Sequence, residues 1–189
     1  MQVLKEDIKN SILQAALEEF YTYGYEKASL QEIAKRCGIS KSNVYNYFPS
    51  KKSIYDALTT PALDNIIAVT KHLTTKKCCP QALDELAKSF TESLRHVIYR
   101  YRKEIVILIT YGSEQNGQPI MEMFQQELIQ CFMQLDENLL PRDFLEILSS
   151  MLIDGICKII IKSETEEDIE KQLYALFRYH VRGILAFKK

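Results

Sequence analysis

Residues 41–47 read Lys-Ser-Asn-Val-Tyr-Asn-Tyr, and every side chain but Val44 can make hydrogen bonds. Val44 and Phe48 are four residues apart, so in a helix they share one face. Ser42 and Asn46 then lie roughly opposite that face, flanked by Asn43 and Tyr45. A solvated helix face usually mixes Glu with Lys. This one offers Lys41, Ser42, Asn43, Tyr45, Asn46 and Tyr47. Small amides and hydroxyls approach base edges closely, while tyrosine hydroxyls and lysines reach phosphates. The chemistry on offer is recognition rather than bond-making.

Catalytic chemistry has little support. His72, His96 and His180 are scattered, and no G-x-S-x-G, G-x-G-x-x-G or P-loop pattern occurs. The five cysteines, Cys37, Cys78, Cys79, Cys131 and Cys157, form no C-x-x-C pair. A disulfide framework or structural zinc site is therefore not expected, and no enzyme, metal or cofactor is predicted. Cys78 and Cys79 sit beside Lys76 and Lys77, a setting that lowers thiol pKa, but no further metal ligand stands near them in the sequence.

Charge is informative only locally. The net charge is −1, yet residues 27–52 hold six basic side chains against the single acid Glu32. No acid falls between Lys41 and Lys52. A small basic patch on the segment with the polar face is a phosphate footprint, although a solvated face would read the same way.

Three short helices must position that face. The first runs from about Lys5 to Tyr23, with Ile8, Ile12, Ala16 and Phe20 recurring every four residues and Gly24 as its stop. "SLQE" predicts a capping box at Ser29, with Glu32 reaching back. Leu30, Ile33, Ala34 and Cys37 make the buried face of the second helix, which Gly38 ends. Ser40 caps the third helix, with Ile39 and Val44 placed as a hydrophobic staple. Two helices joined by so short a turn form a helix-turn-helix, whose second helix enters the major groove. Pro49 stops that helix and Ser50 caps a fourth, which carries Lys51 and Lys52 in its first turn. Cations there oppose the helix dipole, so a shared phosphate is one explanation and two ordinary surface lysines are the other.

"SLQEIAKRCGISKSNVYNYFPSKKSIYDAL", with "ILQAALEEFYTYGYEKASL" before it, resembles the DNA-binding signature of TetR-type transcriptional regulators over about Ile8–Leu58. The resemblance implies an all-α chain. A helix-turn-helix DNA-binding domain over 1–50 would precede a larger helical effector-binding and dimerisation domain over 51–189. It further implies a dimer on a double-stranded operator, usually a repressor released by a small molecule. By position, Lys41, Ser42 and Asn43 look like base contacts. Tyr45 and Tyr47 look like phosphate and sugar contacts, and Asn46 can do either. Ser29, Gln31 and Lys51 look like further backbone contacts. One departure is Pro61, where the family's fourth helix continues. It either kinks that helix, or the helix ends near Thr59 and a new one starts at Pro61.

Beyond Pro61 the sequence predicts helices at about 61–75, 80–101, 102–113, 119–138, 142–163 and 166–187. The last two carry wide apolar stripes, broad enough for a core and a partner at once. Leu148, Leu152, Gly155, Ile159, Leu173, Phe177, His180 and Ile184 are the expected homodimer contacts, the pairing of the last two helices being the family's arrangement. Gly155 and Gly183 would permit close helix approach. Aromatic-rich middle helices offer Phe90, Tyr101, Tyr111, Phe124 and Leu128 as the lining of a pocket for a small, hydrophobic effector, or as ordinary core. A second reading keeps the DNA-binding dimer but makes the large domain an adaptor for another protein. The N-terminus mixes charge through its apolar positions, unlike a signal peptide, and the longest apolar runs are too short to span a bilayer. A cytoplasmic location without membrane contact is expected.

Overall fold

The computed structural model describes residues 2–74, 83–111, 117–135 and 140–187. Among the described residues there are nine helices and no strand, as the all-α reading expects. They are α1 Gln2–Lys27, α2 Leu30–Arg36, α3 Lys41–Tyr47, α4 Lys51–Thr74, α5 Leu83–Arg100, α6 Arg102–Tyr111, α7 Gly117–Leu135, α8 Arg142–Lys162 and α9 Glu166–Leu185. Cys78 and Cys79 lie outside the described residues. The chain divides into two compact units, Met1–Asp64 with Lys103–Gln115 and Asn65–Arg102 with Asn116–Lys189, and the division falls inside α4.

In the first unit, Ile12, Ala16 and Phe20 of α1 have no exposed area, as their spacing of four predicts. Ile33 and Ala34 of α2, Val44 and Phe48 at α3, and Ile54, Tyr55 and Leu58 of α4 complete this core. Each large apolar side chain so buried contributes about 1.5–3 kcal/mol. The two-turn α3 depends on that burial, being far shorter than a helix that is stable alone.

Tyr55 is the exception inside this core. Its ring stacks edge-on to Tyr25 at 5.2 Å and lies 6.3 Å from Phe20. Its hydroxyl is buried with no partner among the described residues. Burial, then the charge of Asp56, pushes the phenol pKa above its usual value. Tyr55→Phe removes only the unpaired group, so thermal unfolding is expected to show equal stability or a gain of up to about 1 kcal/mol.

At Pro61 the structure decides between the two readings of the fourth helix. No break occurs at Thr59, and α4 continues through Pro61 to Thr74. An interior proline costs about 3 kcal/mol through its missing N–H and its ring. Burial on both sides, by Ile54, Leu58 and Ala62, offsets that cost. Thr59 Oγ1 donates to Tyr55 O at 2.9 Å one turn before the proline.

In the second unit, α9 packs on α5 and on α8, and α7 packs on α8. Thr165 caps α9 by accepting from Asp168 N at 3.1 Å. Arg102 closes the other end of the α8–α9 turn. Its guanidinium donates to Ile160 O and Glu164 O, each at 3.3 Å, and to Ser163 O. A cation on a last-turn carbonyl of α8 and on the two carbonyls that follow the helix satisfies orphan acceptors and complements the helix dipole. At Gly155 an added Cβ would stand 2.9 Å from Leu176 Cδ2, so this glycine serves a close approach of α8 to α9 within one chain. At Gly183 an added Cβ meets nothing within 4 Å.

The expected dimer residues lie along the apolar stripe of these two helices. Leu152, Ile159, Leu173, Phe177, His180 and Ile184 are buried in the chain's own core, and Leu148 and Gly155 are half-buried. A side chain with almost no exposed area cannot supply area to a second chain. The exposed apolar side chains here are Phe144, Ile147, Met151, Ile161, Tyr179 and Phe187. Periodicity identifies an apolar stripe but not which of its edges meets the chain's own core.

Candidate nucleic-acid interface

Ser29 Oγ accepts from Glu32 N at 3.4 Å, which is half of the predicted capping box. The other half is replaced. Ser29 N donates to Glu19 Oε1 of α1 at 3.2 Å rather than to Glu32. At the far end of α2, Gly38 N donates to Lys35 O and Ile39 N to Ala34 O, at 3.1 and 3.0 Å. These two bonds form a Schellman motif, and Gly38 has the left-handed φ of 66° that the motif requires. Ser40 Oγ then accepts from Asn43 N at 3.2 Å and starts α3. The chain is thereby fixed from Ser29 to Phe48 by bonds that are nearly all local.

Glu19 is the residue that sequence reasoning missed. It is 3% exposed and also pairs with Arg36 Nη2 at 3.0 Å, in the last turn of α2. One buried carboxylate of α1 thus holds the first N–H of α2 and the cation at its end. The sequence signal was its place seven residues after Ile12 and three after Ala16, on the side of α1 that carries the apolar stripe.

On α3, Val44 and Phe48 face inward. Lys41, Ser42, Tyr45 and Asn46 are exposed, and Asn43 and Tyr47 are half-buried. Ser42 Oγ lies 2.9 Å from the capping Ser40 Oγ. Asn46 Nδ2 donates to Asn43 Oδ1 at 3.2 Å. At the start of α2, Gln31 is exposed and Ser29 half-buried. The structure therefore gathers Lys41, Ser42, Asn43, Tyr45 and Asn46 on one short helix with its polar side outward.

The two lysines in the first turn of α4 have partners inside the chain. Lys51 Nζ donates to Glu26 O at 3.0 Å and stands 4.9 Å from the centre of the Tyr25 ring. Burial lowers its pKa, opposed by Glu26 and Glu19. Lys52 binds both carboxylate oxygens of Asp56, at 2.7 and 2.9 Å. Ser50 caps α4 reciprocally with Ser53, each N–H donating to the other's Oγ. A phosphate is no longer needed to account for cations at this helix end.

Residues 12–58, which hold every one of these side chains, match the family model for bacterial regulatory proteins of the tetR family. Over those residues this chain is similar to the DNA-binding region of tetR-family regulators. It is 41% identical over 63 residues to the transcriptional regulator RutR of Escherichia coli K12, a match that covers 33% of this chain and 30% of RutR. The matched stretch thus spans less than a third of that relative's length. It is 26% identical over 186 residues to the uncharacterised regulator YhgD of Bacillus subtilis 168, covering 97% of this chain and 85% of YhgD. Among solved structures, AibR in complex with isovaleryl coenzyme A and operator DNA superposes with a TM-score of 0.68 at 17% identity, covering 89% of this chain and 96% of that one. These relatives are regulators rather than enzymes, and no helix among the described residues is long and apolar enough to cross a membrane.

The five aromatic and apolar residues expected at an effector pocket fall in both units of the chain. Phe90, Phe124 and Leu128 are buried in the second unit, where Phe90 packs on Phe177 with ring centres 4.2 Å apart. Tyr101 is half-buried at the end of α5. Tyr111 belongs to the first unit, with its ring against Gly24. A groove of about 570 Å³ between α5 and α9 is lined by Lys88, Glu92, Glu167, Glu170, Lys171 and Tyr174, a charged lining unlike the apolar one expected.

Proposed function

We propose that this chain is a dimeric, sequence-specific DNA-binding regulator, a repressor released by a small effector. The observation that carries this reading is the outward face of α3, which pairs two buried apolar anchors with a run of amides, hydroxyls and one lysine and has no acid. Such a face meets base edges at its centre and phosphates at its margins. A two-fold dimer sets two such helices for half-sites about 34–36 Å apart. The exposed Phe144, Ile147, Met151, Tyr179 and Phe187 are the apolar area that a second copy would cover. By this reading residues 1–50 serve DNA and 51–189 serve effector and partner, and AibR, of similar fold, is a protein solved with both isovaleryl coenzyme A and operator DNA. The expected result is that purified protein retards a duplex from its own promoter region at low salt. Failure to shift any such duplex would remove the proposal.

Lys51 is retained as a backbone contact at the margin. Lys51→Ala is expected to weaken binding to all sequences alike. It should also lower the slope of log affinity against log salt by about 1. An unchanged slope with a lower melting temperature would assign Lys51 only to Glu26 and Tyr25.

A further inference from the structure

We infer that Asn46 is the central base-reading side chain of α3 and that it reads adenine, with Asn43 holding its amide in orientation. This rests on the DNA-binding function proposed above and names the base it recognises. Asn46 is two residues from both Val44 and Phe48, so it points most directly away from the buried face. Its competitor for that place, Ser42, is drawn back to the helix cap through Ser40 Oγ, which already accepts from Asn43 N.

The hydrogen-bond inventory then selects the base. An asparagine amide has two N–H donors and one carbonyl acceptor. One Asn46 donor is taken by Asn43 Oδ1. What remains is Oδ1 with one N–H on the same planar group. In the major groove, adenine presents an N6–H donor beside the N7 acceptor and satisfies both. Guanine presents two acceptors and would leave Oδ1 facing O6 or N7. Cytosine presents only a donor, and thymine only an acceptor beside a methyl group. Asn43 is a positioning residue here, because its Oδ1 decides which way the Asn46 amide faces.

Selection from a random duplex library with the full chain tests this. The wild type is expected to enrich an A·T pair at one fixed position of the recovered site. Asn46→Ala should cut the preference at that position by about 5- to 150-fold, the loss of one bidentate contact, and leave other positions unchanged. Asn43→Ala should blur the same position. Asn43→Asp keeps an acceptor for Asn46, so it should weaken all DNA by charge yet keep the adenine preference. Guanine at the position, or unchanged sites from Asn46→Ala, overturns the assignment while leaving the DNA-binding function standing. A wild type that enriches no sequence overturns both.

Discussion

Arg36→Met is expected to destabilise the protein by about 3 kcal/mol, the low end of the cost of leaving one partner of a buried ion pair. The methionine keeps the apolar stem but strands the Glu19 carboxylate, which is 3% exposed. One hydrogen bond, from Ser29 N, remains to it. The low end applies because Arg36 is 43% exposed, so water can reach the vacated place. A domain stable by only 5–15 kcal/mol registers that loss plainly in urea unfolding. The double replacement Glu19→Leu with Arg36→Met separates charge from packing. An apolar pair of similar volume often equals or exceeds a buried ion pair, so most of the stability should return. A remainder of about 1 kcal/mol should stay lost, because Ser29 N then has no acceptor. A double mutant no better than Arg36→Met would mean that shape, not charge, matters at this node. Both mutants bear on DNA as well, since Glu19 and its partners seat α2 behind the recognition helix.

Gly24→Ala is expected to cost about 3 kcal/mol, through two separable causes. Gly24 has φ 79° and ψ 162°. That region is essentially restricted to glycine, and a side chain there costs about 1–3 kcal/mol. An added Cβ would also stand 2.6 Å from Tyr111 Cε1, so the ring must move. Gly38→Ala is the comparison. Gly38 has φ 66°, and its added Cβ meets nothing within 4 Å, so only the left-handed cost of about 1 kcal/mol applies. Adding Tyr111→Ala to Gly24→Ala would relieve the collision but not the backbone strain. Calorimetric melting of the three variants checks the ordering.

The elements that proved legible are those whose causes are local. Ser29, Ser40, Ser50 and Thr165 each cap a helix through an atom three residues away. Only Ser29, Ser40 and Ser50 were read from sequence as caps, from small hydroxyls placed before apolar runs. Gly24, a non-helical kink inside α1, and Gly38, just past α2, hold positive-φ conformations that glycine takes at little cost. Pro61 left two readings open in the sequence, and the helix continues because burial along α4 outweighs the local cost of an interior proline.

What the sequence determined by itself is the three-helix reading head: its caps, its turn, and the inward pair Val44 and Phe48 that turn the polar side chains out. Spacings of three and four encode such features directly. The tertiary structure alone decided the rest. It joined Glu19 to Ser29 and Arg36, laid Lys51 over Tyr25, set Tyr111 on Gly24 and closed α8 with Arg102. It also settled which edge of the α8 and α9 stripes is core and which is free. These contacts join residues far apart along the chain, and an apolar period records that a side chain leaves water without recording what it meets there.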